Sequence, residues 1–169
     1  MPLLRDVRSI ARRLPVVAVT RYGSLPLSFA QQRLWFLSQM EGASAAYHLP
    51  FGLRLSGSLD TTALRRSLDR IVARHEVLRT TFVLIDGEPV QRIGSVEDHP
   101  FLLQEHDLRQ QEDAEEEYHR LFEVETDAAF DLASGPLIRG RLIHQAEDEH
   151  VLLITMHHIV SDGWSIGVL

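Results

Sequence analysis

Two adjacent histidines, followed by an aspartate and a glycine, are the residues of this chain best suited to chemistry. His157 and His158 end an apolar run, and Asp162 and Gly163 follow in a segment of turn-forming residues. Histidine is the side chain that most readily exchanges a proton near neutral pH, and strand ends are common positions for functional side chains. The pattern therefore indicates a candidate site centred on the two imidazoles.

The apolar run that must position these histidines is typical of one buried strand. Residues 151–160 are mostly apolar and β-branched on both alternating sets, as in a strand covered on both faces. Neighbouring strand residues point to opposite faces, so the two histidines cannot easily share a ligand, and no cysteine exists to complete a metal site. We therefore predict no metal. One histidine should face a cleft while the other packs inside; the alternative is that both are hydrogen-bonded core residues without chemistry.

Composition narrows the function classes. The chain has 169 residues, 44% hydrophobic and 24% charged, which is ordinary for one globular domain. Its net charge of −7 disfavours a nucleic-acid partner, and no apolar run is long enough to span a bilayer. The absence of cysteine is compatible with a cytoplasmic location.

Periodicity and turn residues predict alternating helices and strands before the histidines. A first helix over residues 3–14 is basic and amphipathic; it could lie on a membrane, but packing on a neighbour is favoured. We expect a later helix to begin at Ser28 with a capping box to Gln31, to end at Gly42, and to bury Phe29, Leu34, Leu37 and Met40. The other predicted elements are a strand ending at Gly57, a helix capped by Asp60, a hairpin turning at Asp86-Gly87, a strand over 101–108, a helix over 112–129 and a hairpin over 137–160.

Three segments resemble the motifs of a single family. Residues 157–163 form an HHxxxDG motif, Leu27–Leu37 reads LSFAQQRLWFL, and residues 74–82 read RHEVLRTTF. Each resembles a motif of the condensation domains of nonribosomal peptide synthetases, within the chloramphenicol-acetyltransferase-like superfamily. A fourth segment, residues 130–137, also matches these domains. The resemblance covers about residues 25–167.

The resemblance implies a fold and a domain division. The fold class is α/β (α+β): a chloramphenicol-acetyltransferase-like lobe, with a mixed β-sheet packed with helices. Residues 1–24 would be a linker, including the tail of a preceding carrier domain, and residues 25–169 the N-terminal lobe of a condensation domain. The family's catalytic tunnel lies between two lobes and this chain carries the motifs of one, so we expect the fragment alone to be inactive.

The implied reaction is amide-bond formation between donor and acceptor aminoacyl thioesters. By resemblance His158 is the catalytic position, where a neutral imidazole accepts the amine proton or holds the amine for attack; His157 is structural. No cofactor is expected to bind directly, because phosphopantetheine is carried by the partner carrier domains. The expected partners are upstream and downstream peptidyl carrier domains, an adenylation domain and the C-terminal lobe.

The resemblance also assigns supporting residues. Asp162 would pair with an arginine, since a buried carboxylate needs a cation and the planar guanidinium suits it. Arg79 is the preferred partner and Arg74 the second, and Gly163 would permit a tight turn near the pantetheine arm. The candidates for the substrate channel are Trp164 and Ser165.

The sequence leaves two other functions open. A coenzyme A-dependent acyltransferase of the same superfamily would share HHxxxDG, but would not be expected to match Leu27–Leu37. A non-catalytic carrier-docking module is the other alternative.

Overall fold

The computed structural model of this chain describes residues 24–40 and 45–168, together with Val17. The predicted basic helix over residues 3–14, most of the predicted linker up to residue 24, and the predicted helix end at Gly42 lie outside the described residues.

The described residues form two sheets and three α-helices. In chain order the elements are β1 (Leu25–Pro26), α1 (Phe29–Ser38), β2 (His48–Ser56), α2 (Thr61–Arg74), β3 (Thr80–Ile85), β4 (Glu88–Ile93), β5 (Leu102–Asp107), α3 (Ala114–Asp127), β6 (Ile138–His144) and β7 (Glu149–His157). Short 3-10 turns lie at Ala45–Tyr47, Glu76–Arg79 and Ser165–Val168.

The four-stranded sheet carries the histidines. Its strand order is β2-β7-β6-β5, with β7 antiparallel to both neighbours and β5 parallel to β6. This mixed sheet, packed with helices, confirms the predicted fold class. Strand β7 is central and buried at every residue after Glu149, as its apolar run predicted.

Helices cover both faces of this sheet. On one face Leu142 and Leu152, which pair across β6 and β7, belong to a core that includes Leu68 and Val72 of α2. On the other face Ile143 and Val151 pack with Leu121 of α3. Side chains alternate along a strand, so a run that is apolar at every position requires a helix on each side.

The second sheet is antiparallel, with the order β1-β4-β3. Its hairpin turns at Asp86 and Gly87, whose φ angles of 53° and 82° are those of a tight two-residue turn, as Asp-Gly predicted. The Phe82 amide donates to the Leu132 carbonyl at 2.7 Å, which joins this sheet to the segment before β6.

The capping predictions are confirmed, but the predicted burial of α1 is wrong. Ser28 and Gln31 form the expected capping box, and Asp60 caps α2 through the Ala63 amide at 2.9 Å. No residue of α1 is buried, and Phe29 is 90% exposed.

The outward side of α1 explains this difference. Leu34 and Trp35 contact the core, while Phe36 and Met40 remain exposed. An apolar stripe predicts that a helix will be covered, but it does not say whether the cover belongs to the same lobe. Among the described helices, none is long and apolar enough to cross a membrane.

Candidate active site

The end of β7 separates the two histidines. His157 is the last residue of the strand, with 0% of its surface exposed, whereas His158 begins the following turn and is half-buried. The prediction that one histidine packs inside and the other is accessible is therefore confirmed. The strand ends here because the amide of Val160 turns back to the carbonyl of His157 at 3.1 Å.

His157 is enclosed by the lobe. Its Nδ1 accepts the Ile159 amide at 3.1 Å, and its Nε2 is buried without a hydrogen-bond partner among the described residues. The rings of His48 and Phe130 each lie 6.1 Å from it, edge to face. Burial, and then the charges of His48 and His158, lower the pKa of His157 to about 4. This imidazole is therefore neutral at physiological pH and suited to a structural role.

His158 is held by the main chain of its own turn. Its Nδ1 lies 2.8 Å from the Ser161 carbonyl oxygen. A carbonyl only accepts hydrogen bonds, so Nδ1 carries the hydrogen, and the neutral ring keeps a lone pair on Nε2. None of the hydrogen bonds or ion pairs of the described residues uses that Nε2. The arrangement leaves a basic nitrogen available for a substrate proton.

An open pocket of about 270 Å³ lies beside His158. Ala30 and Leu34 of α1 line one side, and the turn after β7 lines the other with Trp164 and Ser165. Trp164 is 87% exposed although it is among the largest apolar side chains. The structure thus brings both predicted channel residues next to His158.

The predicted pair between Asp162 and an arginine is not formed in this structure. Asp162 is exposed, and its Oδ1 accepts the Ser165 amide at 2.7 Å. That amide, and then the Ser165 hydroxyl, hold the pKa of Asp162 below its usual range. Among the described residues no ion pair joins Asp162 to a cation. An exposed carboxylate keeps its hydration and accepts a local amide, so it needs no buried cation.

Arg79 has other partners. Its Nη1 donates to the Gly94 carbonyl and its Nη2 lies 3.6 Å from Glu76. Arg74 is exposed on α2, and none of the ion pairs or hydrogen bonds of the described chain includes it. The arginines therefore anchor the start of β3 or face solvent, rather than reaching Asp162.

The segment that carries these arginines still reaches the turn after β7. Its side chains His75, Val77 and Leu78 line a pocket of about 130 Å³ with Ser161 and Trp164. The contact between the second motif and HHxxxDG is thus largely apolar in this chain.

Gly163 is required by neither its backbone nor its neighbours. Its φ lies outside the left-handed region, and a Cβ built there would meet nothing within 4 Å among the described residues. The predicted tight turn is instead closed by Asp162 and Ser165. A reason for glycine at this position has to lie outside the described residues.

A layer of side chains behind His157 escaped prediction from sequence. His48 lies opposite His157 in the sheet register and donates from Nδ1 to the Thr126 carbonyl of α3 at 2.7 Å. Phe130 stacks between His48 and the guanidinium of Arg139, which lies 3.9 Å above its ring. These residues are far apart in the chain, and only the strand register brings them together.

A buried ion cluster holds α3 on the sheet in the same region. Both carboxylate oxygens of Glu125 are used: Oε1 accepts Arg139 Nε at 2.9 Å and Oε2 accepts Arg141 Nε at 2.8 Å. Arg141 Nη1 also donates to His106 Nε2 at 2.9 Å, and burial together with this cation lowers the pKa of His106. The helical spacing that places Glu125 on the buried stripe of α3 was the one signal in the sequence.

Comparison with known proteins identifies related sequences. The family model for the condensation domain matches residues 22–169. Malpibaldin synthetase of Mortierella alpina is 50% identical over 151 residues, covering 89% of this chain and 3% of that protein. A linear gramicidin synthase of Brevibacillus parabrevis is 52% identical over 155 residues, covering 89% of this chain and 2% of that protein. The chain is therefore similar to a small part of each relative.

Solved structures agree on the fold. The starter condensation domain of rhizomide synthetase RzmA matches with a TM-score of 0.78 at 23% identity, over 86% of this chain and 35% of that chain. The X-domain from teicoplanin biosynthesis matches with a TM-score of 0.76 at 36% identity, over 89% of this chain and 31% of that chain. With the family model spanning nearly all of the described residues, and with HHxxxDG at the end of a buried central strand, the chain belongs to the condensation-domain family.

Proposed function

We propose that this chain is the N-terminal lobe of a condensation domain that forms an amide bond between two carrier-bound aminoacyl or peptidyl thioesters. The observation that carries the proposal is the state of His158. Its Nδ1 hydrogen is held by the Ser161 carbonyl, which leaves the Nε2 lone pair beside an open pocket. Membership of the condensation-domain family supports the reaction class.

In this reaction the amine of the acceptor attacks the thioester carbonyl of the donor. A carbon–nitrogen bond forms, the carbon–sulfur bond breaks, and the thiol of the donor arm leaves. The attacking amine must lose a proton, which the leaving thiolate ultimately takes up. His158 Nε2 either accepts that proton or holds the amine in line for attack, and both roles require the same lone pair.

His157 would support this chemistry without touching the substrate. With its pKa lowered to about 4 by burial, it stays uncharged beside His158. A second positive charge next to His158 would oppose the uptake of a proton there. Neutral packing of His157 against His48 and Phe130 also fixes the strand end from which the next residue projects.

The proposed partners follow from the reaction. Upstream and downstream carrier domains would deliver both substrates on phosphopantetheine arms, and an adenylation domain in the same synthetase would load them. The pocket beside His158 is lined mainly by apolar side chains and by Trp164, which suits an aliphatic arm. The chain spans 35% of the RzmA condensation domain chain, so a second lobe would complete the site.

The test uses the complete domain, in which this lobe is joined to its second lobe. Donor and acceptor carrier domains are loaded with aminoacyl groups, and the dipeptidyl thioester is followed by mass spectrometry. We expect product from the unaltered domain and a loss of at least about a hundredfold in rate with His158→Ala, in line with the contribution of general acid–base groups. His119→Ala is the matched control, because it removes an exposed histidine of α3.

The outcomes separate the proposal from its alternatives. Product that is lost in His158→Ala and kept in His119→Ala supports amide formation at the end of β7. Equal rates in both variants would remove His158 from the chemistry. Transfer from acyl-coenzyme A, but not from a loaded carrier, would indicate the acyltransferase. Binding of loaded carriers without product would indicate a docking module.

A further inference from the structure

We propose that Ser165 is a positioning residue that orients the catalytic imidazole through a single peptide plane. This inference rests on the proposed function for its kinetic consequence, but not for its structural one. Ser165 does not contact the ring of His158; it holds the peptide group against which that ring is bonded. This role is distinct from lining the substrate channel, for which the sequence made Ser165 a candidate.

The key group is the peptide that links Ser161 to Asp162. Its carbonyl oxygen accepts His158 Nδ1–H at 2.8 Å, and its N–H donates to the Ser165 hydroxyl oxygen at 2.8 Å. A peptide group is planar, so its C=O and N–H are rigidly related and point in opposite directions. The hydroxyl on one edge therefore sets the direction of the carbonyl on the other edge.

The Ser165 hydroxyl and its turn are fixed by further contacts. The hydroxyl donates to the Asp162 carbonyl at 3.0 Å and lies 3.3 Å from the hydroxyl of Ser161, which is buried. The Ser165 amide donates to the Asp162 carboxylate at 2.7 Å, which closes the turn from the opposite side. The Ile166 amide adds a bond to the Asp162 carbonyl at 3.2 Å. The oxygen that holds the peptide is thus not free to rotate away.

The arrangement has an electronic effect as well as a geometric one. When the N–H of an amide donates a hydrogen bond, its C=O becomes a stronger acceptor, because hydrogen bonds in a chain polarise one another. The hydroxyl of Ser165 therefore strengthens the bond that keeps the hydrogen of His158 on Nδ1. Loss of that bond would let the neutral ring populate the other tautomer, in which Nε2 has no lone pair and cannot accept a proton.

A similar turn elsewhere in the lobe serves as a control. Asp131 and Ser134 also form an Asp-x-x-Ser turn, in which the Ser134 hydroxyl donates to the Asp131 carboxylate at 2.7 Å. No hydrogen bond of this turn involves the ring of either HHxxxDG histidine. Ser134→Ala therefore removes a turn hydroxyl without disturbing the imidazole of His158.

The experiment reads the tautomer directly. In the complete domain with 15N-labelled histidine, the ring nitrogens of His158 are observed by NMR and assigned from their loss in His158→Gln. We expect the Nδ1–H form in the unaltered domain and in Ser134→Ala, and a mixture of both tautomers in Ser165→Ala. The same variant should lower kcat for amide formation by about two- to tenfold with little change in KM for the carriers, the range set by one hydrogen bond.

An isosteric pair guards against a folding defect. Ser165→Thr keeps the hydroxyl and Ser165→Val replaces it with a methyl group of the same shape, so the difference between them reports the hydroxyl alone. The Nδ1–H form kept in Thr and lost in Val supports the proposal. The Nδ1–H form kept in Val and in Ala overturns it. If the unaltered domain yields no amide while the tautomer still responds to Ser165, the positioning role stands and the proposed function fails.

Discussion

His157 and His158 are adjacent in the chain, yet their Nδ1 atoms have opposite roles. Nδ1 of His157 accepts the Ile159 amide at 3.1 Å, whereas Nδ1 of His158 donates to the Ser161 carbonyl at 2.8 Å. The neutral rings are therefore opposite tautomers. The basic nitrogen of His157 is used inside the lobe, and the basic nitrogen of His158 remains available beside the pocket, which gives each histidine of the motif a distinct role.

The buried state of His157 predicts a pH-dependent stability. Its pKa is lowered from 6.5 to about 4, so between these values the unfolded chain binds a proton that the folded chain does not. The free energy of unfolding should therefore fall as pH falls from 6.5 to 4, by on the order of 3 kcal/mol in total from this group. Urea unfolding at several pH values measures this slope.

The matched variants for this measurement are His157→Asn and His119→Asn. Asparagine at 157 retains an acceptor for the Ile159 amide but does not titrate, so its slope between pH 6.5 and 4 should be shallower. His119 is an exposed histidine of α3, with 66% of its side chain accessible, and its variant should keep the slope of the unaltered protein. Equal slopes in all three proteins would contradict a buried neutral His157.

Glu125 should dominate the attachment of α3 to the sheet. Its side chain is 3% exposed and it is bonded to both Arg139 and Arg141, so Glu125→Gln leaves two largely buried cations without their carboxylate. We expect a loss of about 3 kcal/mol in the free energy of unfolding. Glu117→Gln is the control on the same helix; its pair with Arg120 is more exposed, and the loss should stay below about 1 kcal/mol. Similar losses for both variants would refute this ranking.

Arg79 should matter for stability, and Arg74 should not. Lysine at position 79 cannot reproduce the guanidinium contacts to the Gly94 carbonyl and to Glu76, and we expect Arg79→Lys to cost about 1–3 kcal/mol. Arg74→Lys, at an exposed position, should change stability by less than about 0.5 kcal/mol. Thermal unfolding of both variants compares the two positions; a larger effect at 74 would reverse the assignment.

Gly163 offers a separation of stability from activity. A Cβ at this position meets nothing within 4 Å in the described lobe, so Gly163→Ala should change the free energy of unfolding by less than about 0.5 kcal/mol. If the pantetheine arm passes close to this backbone, the methyl group should lower the rate of amide formation roughly tenfold or more. An unchanged rate would show that the arm does not approach Gly163.

Local features of this fold were readable from short-range patterns. The capping box of Ser28 and Gln31, the cap at Asp60 and the turn at Asp86-Gly87 depend on residues within three or four positions of one another. The same holds for the buried strand that ends at the histidines, because alternation and run length are local properties. The HHxxxDG, Leu27–Leu37 and 74–82 motifs together identified the family, which the family model then confirmed.

Contacts between distant segments could not be read in this way. The sequence indicated that Asp162 would want a cation if it were buried; the tertiary structure leaves it exposed and gives its carboxylate to the Ser165 amide. It indicated an apolar face on α1, but not that Phe29 would remain uncovered in this lobe. Residue types and spacing determined which groups could act, since periodicity and turn chemistry are local. Only the tertiary structure decided which nitrogen of His158 carries the hydrogen, because that depends on where the chain places one carbonyl oxygen in space.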